Sequence, residues 1–354
     1  MSGKITAAVI SAGAWSRSSH LPALRADSRV KITMVTSQNA DRARELAEEF
    51  AVPRGSSDWH DALEDAPSIA IVSSPPVAHE EQVIAALRAG SHVLVEKPFA
   101  LDSASARRMH VAAQEARRNL LVGFGWVAAP TFELARSLVA SGEIGDIELV
   151  DCHLDVNTRG LLSGGTDGGW GAADASEPRT YTDAATSGGG AVAVSMSHQL
   201  GLVHWITGQR FTSVDAHTFP SGADIDLHAT TNFGLEHGGS ASLSCASTHP
   251  YLARPQWLLR IYGSKAQLTI DSVSDTARMV DASGKVTDFT AEEASGLYDA
   301  GAPTKALIDC ARGHDAPSGM SGALAVHVVE ASDAIYQSAR TGRRVALPAE
   351  GAHD

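Results

Sequence analysis

Two patterns in the sequence predict an α/β protein with two domains. Residues 5–123 alternate short apolar runs with segments of helical periodicity, which is typical of a doubly wound parallel sheet. Beyond residue 123, longer stretches alternate polar and apolar residues between glycine-containing turns, which is typical of a large, open, mostly antiparallel sheet. The 354 residues also exceed the ~250 to 300 at which single cores usually stop growing. We therefore predict domains at 1–123 and 124–354.

The elements of both domains follow from these periodicities. The parallel strands are predicted at residues 5–10, 31–36, 69–73, 92–95 and 120–123, with helices at 40–50, 80–89 and 104–117. The later strands are predicted at residues 147–157, 213–217, 225–233, 240–247 and 257–262. A final helix carries Leu324, Val328, Ala331 and Ile335 on one stripe, and we expect it to pack back on the first domain. A polar loop at 160–190 is expected at the rim of a substrate pocket.

Composition excludes several classes of function. The formal charge of -13 repels phosphate backbones and anionic membranes, so nucleic acid and membrane partners are not expected. Three widely spaced cysteines form no CxxC pair, and no HExxH segment occurs, so we predict neither disulfides nor a metal site. No 18-residue apolar run or signal-peptide core is present, and we expect a cytoplasmic protein.

Residues 11–16 follow the first strand where a dinucleotide-binding fingerprint would read Gly-x-Gly-x-x-Gly. Only the middle glycine, Gly13, is kept, and this is the position at which the backbone approaches a pyrophosphate. A tight turn without a ligand remains the alternative. The cofactor contacts predicted here are Ala12, Gly13, Ala14 and Trp15.

The end of the second strand predicts which nicotinamide cofactor is used. Residues 36–39 contain no carboxylate, although an acidic residue there would bind the ribose hydroxyls of NAD. Ser37, Gln38 and Asn39 can donate to a 2′-phosphate, and Arg42 or Arg44 can supply positive charge. We therefore predict NADP, with NAD as the other possibility if this turn does not discriminate.

Further candidate residues lie where the third and fourth strands end. Ser73, Ser74 and Pro75 follow one strand, and Glu96 and Lys97 follow the next. Open parallel sheets bind ligands at this edge, so we predict cofactor contacts at all five and a catalytic role for Lys97. The alternative for Lys97 is a surface lysine paired with Glu96.

The segment at 93–100, VLVEKPFA, resembles the signature of the Gfo/Idh/MocA family of oxidoreductases. Similar likenesses occur at residues 74–79, 187–190 and 261–264 and in the C-terminal tail. The resemblance implies a Rossmann domain followed by an α/β domain whose open sheet supports homodimers or homotetramers. It also implies a cofactor contact at His79, an active site containing Lys97 and His198, and NADP use through Ser37.

Two departures from the family pattern affect the expected chemistry. Val194 stands where many members carry an aspartate four residues before the catalytic histidine, and valine cannot share a proton. Residues 124–127, which include Trp126, stand where many members have a polar segment ending in arginine. We predict that His198 is the base and that Lys97 stabilises alkoxide charge. A structural role remains the alternative for His198.

The remaining substrate contacts are predicted from position. His153 and Asp155 share one face of a strand by its period of two, and a wet sheet face or an oligomer contact is the alternative. Tyr181 and Asp183 precede the glycine triplet, and Trp126 lies in the departing segment. Together these features predict an NAD(P)-dependent enzyme acting on a ring hydroxyl or ketone of a sugar, anhydrosugar or cyclic polyol. A retained-cofactor oxidoreductase or glycosidase, and a non-catalytic NAD(P)- or sugar-binding regulator, are the alternatives.

Overall fold

The computed structural model describes residues 3–164, 180–222, 224–247, 254–290 and 292–349. Its helices are α1 (Leu21–Ala26), α2 (Ala40–Glu49), α3 (His79–Arg88), α4 (Ser103–Ala116), α5 (Pro130–Ala140), α6 (Arg159–Ser163), α7 (Ala184–Ser187), α8 (Ser197–Thr207), α9 (Ala302–Cys310) and α10 (Gly322–Thr341). Its strands are β1 (Ile5–Ile10), β2 (Val30–Thr36), β3 (Gly55–Ser56), β4 (Ile69–Val72), β5 (His92–Val95), β6 (Leu120–Val122), β7 (Ile147–Asp155), β8 (Phe211–Phe219), β9 (His228–Leu235), β10 (Ser240–Ala246), β11 (Gln256–Gly263), β12 (Ala266–Asp271), β13 (Thr276–Asp281), β14 (Val286–Asp288) and β15 (Val345–Ala346).

The described residues form two compact units. The first unit comprises residues 3–125, 180 and 300–326, and the second comprises the other described residues. The first unit is thus completed by a segment far along the chain, which supplies α9 and the start of α10.

A six-stranded parallel sheet forms the centre of the first unit, in the order β3-β2-β1-β4-β5-β6. Every residue of β4 is buried, as are Val93, Leu94 and Val95 of β5. Strands buried on both faces read as continuous apolar runs, and this is the pattern that predicted them. The doubly wound sheet is therefore confirmed, and the carboxyl ends of β1, β2, β4 and β5 all meet at one edge.

The second unit contains a nine-stranded sheet in the order β14-β13-β12-β11-β7-β10-β9-β8-β15. All its pairs are antiparallel except β7 with β10, which confirms the predicted open sheet. One face is apolar and covered, with Val150, Cys152 and Leu154 of β7 buried. The opposite face carries Asp151 and His153, which are half-buried.

The structure differs from the sequence prediction at several elements. Strands β12, β13 and β14 extend the second sheet beyond the last predicted strand. The predicted loop at 160–190 contains α6 and α7 at its ends, while residues 165–179 of it lie outside the described residues. Within the part of the chain that the structure describes, no helix is long and apolar enough to cross a bilayer.

Candidate active site

The turn after β1 is fixed to the end of β2. The backbone N–H of Ser11 donates to the Thr36 Oγ1 at 3.0 Å, and that of Ala12 donates to the Thr36 carbonyl at 2.6 Å. Ser11 has a φ of 56°, so the first fingerprint position adopts a left-handed backbone, which glycine tolerates best. Gly13 and Ala14 are half-buried, and a helical turn begins at Ala14. Their backbone therefore reaches the surface at the carboxyl edge of the sheet.

The residues after β2 differ in whether their side chains bond within the protein or are available to a ligand. The Asn39 Oδ1 caps α2 by accepting from the backbone N–H groups of Asp41 and Arg42, at 2.9 and 3.1 Å. The hydroxyl of Ser37, by contrast, has no hydrogen-bond partner among the described residues, although Ser37 is buried. Gln38 is exposed. Ser37 is thus the residue of this turn whose hydroxyl is available to a ligand.

His79 joins the ends of β4 and β5 rather than facing outward. It is completely buried, with Nε2 2.8 Å from the Ser74 carbonyl and Nδ1 3.1 Å from the Phe99 carbonyl. Burial lowers the pKa of His79, and the hydrogen bonds to the two carbonyls oppose this. Both ring nitrogens are occupied by the protein, so we reassign His79 from a cofactor contact to a residue that positions the loop after Lys97.

Ser74 is a different case at the same edge. Its hydroxyl is buried and has no hydrogen-bond partner within the described residues, while Ser73 and Pro75 beside it are half-exposed. A buried polar atom without a partner costs free energy unless a ligand or water satisfies it. A dinucleotide lying across the carboxyl ends of the strands would fit three features of this edge. These are the accessible turn at Gly13, the available Ser37 hydroxyl and the unsatisfied Ser74 hydroxyl.

The carboxylate of Glu96 is held by three donors. Its Oε1 accepts from the Trp15 Nε1 and lies against the His20 Nε2, both at 3.0 Å, and its Oε2 accepts from the backbone N–H of Lys97 at 3.1 Å. Burial alone would raise the pKa of the Glu96 carboxyl, but the hydrogen bond and charge of His20 and the charge of Lys97 outweigh it, so this pKa lies below its usual value. Glu96 is thus an internal anion, and Trp15 supports it through the indole N–H.

Lys97 follows directly, at the end of β5. Its side chain is half-buried and forms no hydrogen bond or ion pair with any described residue, Glu96 included. The alternative of a surface lysine paired with Glu96 is therefore not what the structure shows. Burial lowers the pKa of the Lys97 ammonium, and the charge of Glu96 opposes this only in part.

In the second unit, two glycines and Asp226 anchor the helix that carries His198. The Asp226 carboxylate accepts from the backbone N–H groups of Gly190 and Val192, at 3.0 and 2.9 Å, and from the hydroxyl of Tyr336 at 2.8 Å. A Cβ at Gly190 would lie 2.0 Å from the Asp226 carbonyl oxygen, and one at Gly189 would lie 2.0 Å from the Tyr336 hydroxyl. Gly189 and Gly190 of the glycine triplet are therefore required by close packing against Tyr336 and Asp226.

His198 is the half-buried member of a run, residues 191–203, in which every other residue is buried. A π-helical turn, Val192–Met196, precedes α8 and places Val194 in the core with 2% of its surface exposed. The Gln199 Nε2 donates to the carbonyls of Cys152 and Ser244, which holds α8 on the covered face of the sheet. The position of His198 fits an ionisable group presented from a rigid helix.

Two predicted substrate contacts lie on the wrong face of the sheet. The side chain of Gln199 approaches the Cys152 Sγ, so α8 covers the face to which Cys152 points. His153 points to the opposite face, where its Nδ1 contacts the Ser244 hydroxyl at 2.7 Å, and Asp155 shares that face. Because the sheet separates them from His198, neither residue shares a pocket with it, and that expectation is corrected.

Trp126 and Asp183 are also explained by structure. Trp126 is 4% exposed and packs against Phe132, Trp257 and Tyr298, so it belongs to an aromatic core rather than to a polar contact surface. Asp183 is exposed and caps α7 by accepting from the backbone N–H of Ala185 at 3.0 Å. Tyr181 lies in a short helical turn and is half-buried, which leaves its predicted role open to test.

His204, the second histidine of α8, lies in a buried cluster. Its Nδ1 contacts the Gln209 carbonyl at 2.8 Å, and its ring lies 4.7 Å from that of His327, whose Nε2 accepts from the backbone N–H of Phe211. Burial, with a smaller effect from His327, lowers the pKa of His204 to about 4. The site of His204 therefore favours the neutral imidazole.

Acid should destabilise the fold through His204. Because its pKa is lower in the folded chain than the ~6.5 of an unfolded histidine, stability is complete above pH 6.5 and falls as the pH decreases towards 4, by at most about 3 kcal/mol. Urea unfolding should show that the free energy of unfolding falls less between pH 7 and pH 4.5 in His204→Gln than in the wild type. His60→Gln, at an exposed histidine, is the control, and equal losses in all three proteins would contradict this assignment.

Sequence reasoning missed four residues that organise the site. His20 and Thr304 support Glu96, whereas Asp226 and Tyr336 support the glycine triplet. Each acts on a partner distant in sequence, so no local motif marks it. Among the described residues, no group of three histidine, cysteine or acidic side chains could hold a metal ion.

Comparison with known proteins places these features in a family. Residues 5–124 match the model for the oxidoreductase family with an NAD-binding Rossmann fold, and residues 132–269 match the GFO/IDH/MocA C-terminal domain. The dTDP-3,4-didehydro-2,6-dideoxy-alpha-D-glucose 3-reductase of Streptomyces violaceoruber is 30% identical over 257 residues, which cover 71% of this chain and 68% of that enzyme. The chain belongs to the GFO/IDH/MocA oxidoreductase family. It is therefore a nicotinamide-dependent oxidoreductase.

Other members of the GFO/IDH/MocA family show similarity in sequence or in fold. The levoglucosan dehydrogenase of Pseudarthrobacter phenanthrenivorans is 27% identical over 186 residues, or 52% of this chain and 44% of that enzyme. An oxidoreductase domain protein from Kribbella flavida has a TM-score of 0.81 at 23% identity, covering 99% of this chain and 100% of that one. At that identity the structural match concerns the fold alone.

Proposed function

We propose that this enzyme oxidises a ring hydroxyl, or reduces the corresponding ketone, of a sugar, anhydrosugar or cyclic polyol, with Lys97 and His198 as its catalytic residues. The observation that carries the proposal is the environment of the Lys97 ammonium. Its ammonium lies at the ligand-binding edge of the parallel sheet, is partly desolvated and has no partner among the described residues, while the neighbouring carboxylate is already satisfied. The named activities of the two curated relatives, a sugar 3-reductase and levoglucosan dehydrogenase, support this substrate class.

Each residue has a distinct role in the proposed reaction. A nicotinamide dinucleotide, held by the turn at Gly13 and by Ser37 and Ser74, would supply the hydride acceptor or donor when bound. His198 takes the hydroxyl proton during oxidation and returns it during reduction, a role suited to an imidazole, which can both accept and donate a proton. Lys97 donates a hydrogen bond to the same oxygen and stabilises its negative charge as the carbonyl forms. Because Val194 is buried and carries no acid, His198 has no carboxylate from that position, and more of the charge stabilisation depends on Lys97.

We further propose a preference for NADP. The Ser37 hydroxyl is available, residues 36–39 include no carboxylate, and Arg42 lies in the first turn of the helix that follows. Ser37→Asp should therefore reverse the preference, lowering kcat/KM for NADP by at least about tenfold relative to NAD, because a carboxylate repels the 2′-phosphate and accepts from the ribose hydroxyls. Ser37→Asn is the neutral control. Equal ratios in Ser37→Asp and the wild type would contradict a role for Ser37.

The proposed activity is tested by following nicotinamide absorbance with NADP and NAD across a panel of monosaccharides, anhydrosugars and inositols. We expect turnover of at least one compound by the wild type and its loss in His198→Asn, which keeps polarity but cannot act as a base. The matched control is His60→Asn, the same substitution at an exposed histidine outside the proposed site. Cofactor binding without turnover of any panel compound would overturn the proposal, and nicotinamide retained through purification would indicate oxidation and reduction in a single turnover.

A further inference from the structure

Glu96 and Lys97 are adjacent and oppositely charged, yet their side chains do not pair. The Glu96 carboxylate is instead turned towards the helix after the nucleotide-binding turn, where Trp15 and His20 contact its Oε1. Gly123 also packs closely against this carboxylate, since a Cβ at that position would be 2.6 Å from the same oxygen. The carboxylate is thus held by two donors to one oxygen and by close packing against the backbone at Gly123.

His20 is a specific donor for this carboxylate. It is completely buried within a π-helical turn, Ser16–His20, and its Nδ1 lies 2.9 Å from the hydroxyl of Thr304, which is also buried. A carboxylate only accepts, so the His20 Nε2 must carry the hydrogen in this contact. The Thr304 hydroxyl can accept from or donate to Nδ1, so the ring is held in place in either protonation state.

We propose that His20 is a positioning residue that keeps Glu96 turned away from Lys97, so that the Lys97 ammonium remains available to the substrate oxygen. This inference rests on the proposed catalytic role of Lys97. The charged or titratable groups that act on Glu96 are His20 and Lys97, and Glu96 in turn acts on His79. Trp15 and Thr304 are neutral, so they direct the arrangement without titrating.

Removing His20 should change the partner of Glu96. A buried carboxylate that loses a donor is strongly destabilised until it finds another one. Apart from His20, Lys97 is the cation whose charge acts on Glu96, and its side chain has no hydrogen-bond or ion-pair partner among the described residues. Rotation of Glu96 towards Lys97 would form an ion pair. The pair would stabilise the ammonium, raise the pKa of Lys97 and withdraw its N–H groups from the substrate.

The experiment is a ¹³C NMR titration of the lysine ε-carbons, which is practical because the chain has only six lysines. The Lys97 resonance is assigned with Lys97→Arg. In His20→Leu, the pKa of Lys97 should rise by about one unit or more relative to the wild type, because the Glu96 charge that already acts on Lys97 would move into direct contact, within ~4 to 6 Å. His20→Gln, whose amide can still donate to Glu96, should restore most of the wild-type value.

Milder variants keep the test decisive if His20→Leu does not fold. Trp15→Phe removes the other donor to the same oxygen, and Thr304→Val removes the second partner of His20, so both should shift the pKa of Lys97 upwards by a smaller amount. Ser91→Ala is the matched control, because it deletes a buried hydroxyl that bonds only to the Pro67 carbonyl. An unchanged or lowered pKa of Lys97 in every folded variant would overturn the inference. Because this titration requires no substrate, its outcome is independent of whether Lys97→Met abolishes turnover.

Discussion

Lys97→Met is expected to lower kcat by about 10²- to 10³-fold, while the dissociation constant for NADP changes by less than about threefold. Methionine keeps much of the length of the side chain but removes the ammonium that stabilises negative charge on the substrate oxygen, and the loss of one such donor typically has an effect of this size. Cofactor binding should be largely retained because Lys97 is only one of several predicted cofactor contacts, and the turn at Gly13 is held by Thr36. Stopped-flow turnover and nucleotide titration measure the two quantities separately.

The dependence of kcat on pH distinguishes the effect of the Lys97 charge from the effect of the size of its side chain. Burial lowers the pKa of Lys97, so the ammonium should lose its proton, and the rate should fall, at a pH below the ordinary lysine value of about 10.4. Lys97→Arg should keep its charge throughout this range, because guanidinium titrates above pH 12, and the alkaline fall should disappear from whatever activity remains. Lys4→Met, at an exposed lysine, is the control. Normal kcat in Lys97→Met would remove Lys97 from the mechanism.

The fold was predictable because each sheet has a distinct local pattern. Burial on both faces makes β4 and β5 continuously apolar, and burial on one face makes β7 alternate, so neighbouring residues are sufficient evidence for either sheet. The outer strands were harder to predict. Strand β14 has only three residues, and such a strand is recognisable only through its partner β13.

The site was predictable where it depends on strand ends, and less so where it depends on tertiary packing. Gly13, Ser37 and Lys97 each follow a strand of the parallel sheet, so the sequence places them at one edge. The period of two also placed His153 and Asp155 on a common face, but it cannot say which face α8 covers. That is visible only in the folded chain, where the Gln199 side chain of α8 contacts Cys152. His20 was missed for a similar reason, because its partner Thr304 lies 284 residues away.

Gly190→Ala is expected to lower the free energy of unfolding of the second unit by more than about 3 kcal/mol. This loss should exceed that caused by Gly208→Ala at the other end of the helix that carries His198. The added Cβ would lie 2.0 Å from the Asp226 carbonyl oxygen and 2.5 Å from its backbone nitrogen. Both are backbone atoms, so no change of rotamer can relieve the overlap. Asp226 must move, and with it the contacts to Gly190, Val192 and Tyr336 that fix the start of this helix.

Gly208→Ala provides the matched comparison at the other end of the same helix. Gly208 has a φ of 67°, and no atom lies within 4 Å of an added Cβ, so the substitution introduces backbone strain of about 1 to 2 kcal/mol without overlap. Urea unfolding should therefore give a much lower free energy of unfolding for Gly190→Ala than for Gly208→Ala. Any Gly190→Ala protein that still folds should also lose turnover, because His198 is displaced. Equal stabilities would show that the contact between Gly190 and Asp226 relaxes at little cost, and His198 would then depend on Gln199 and the sheet for its position.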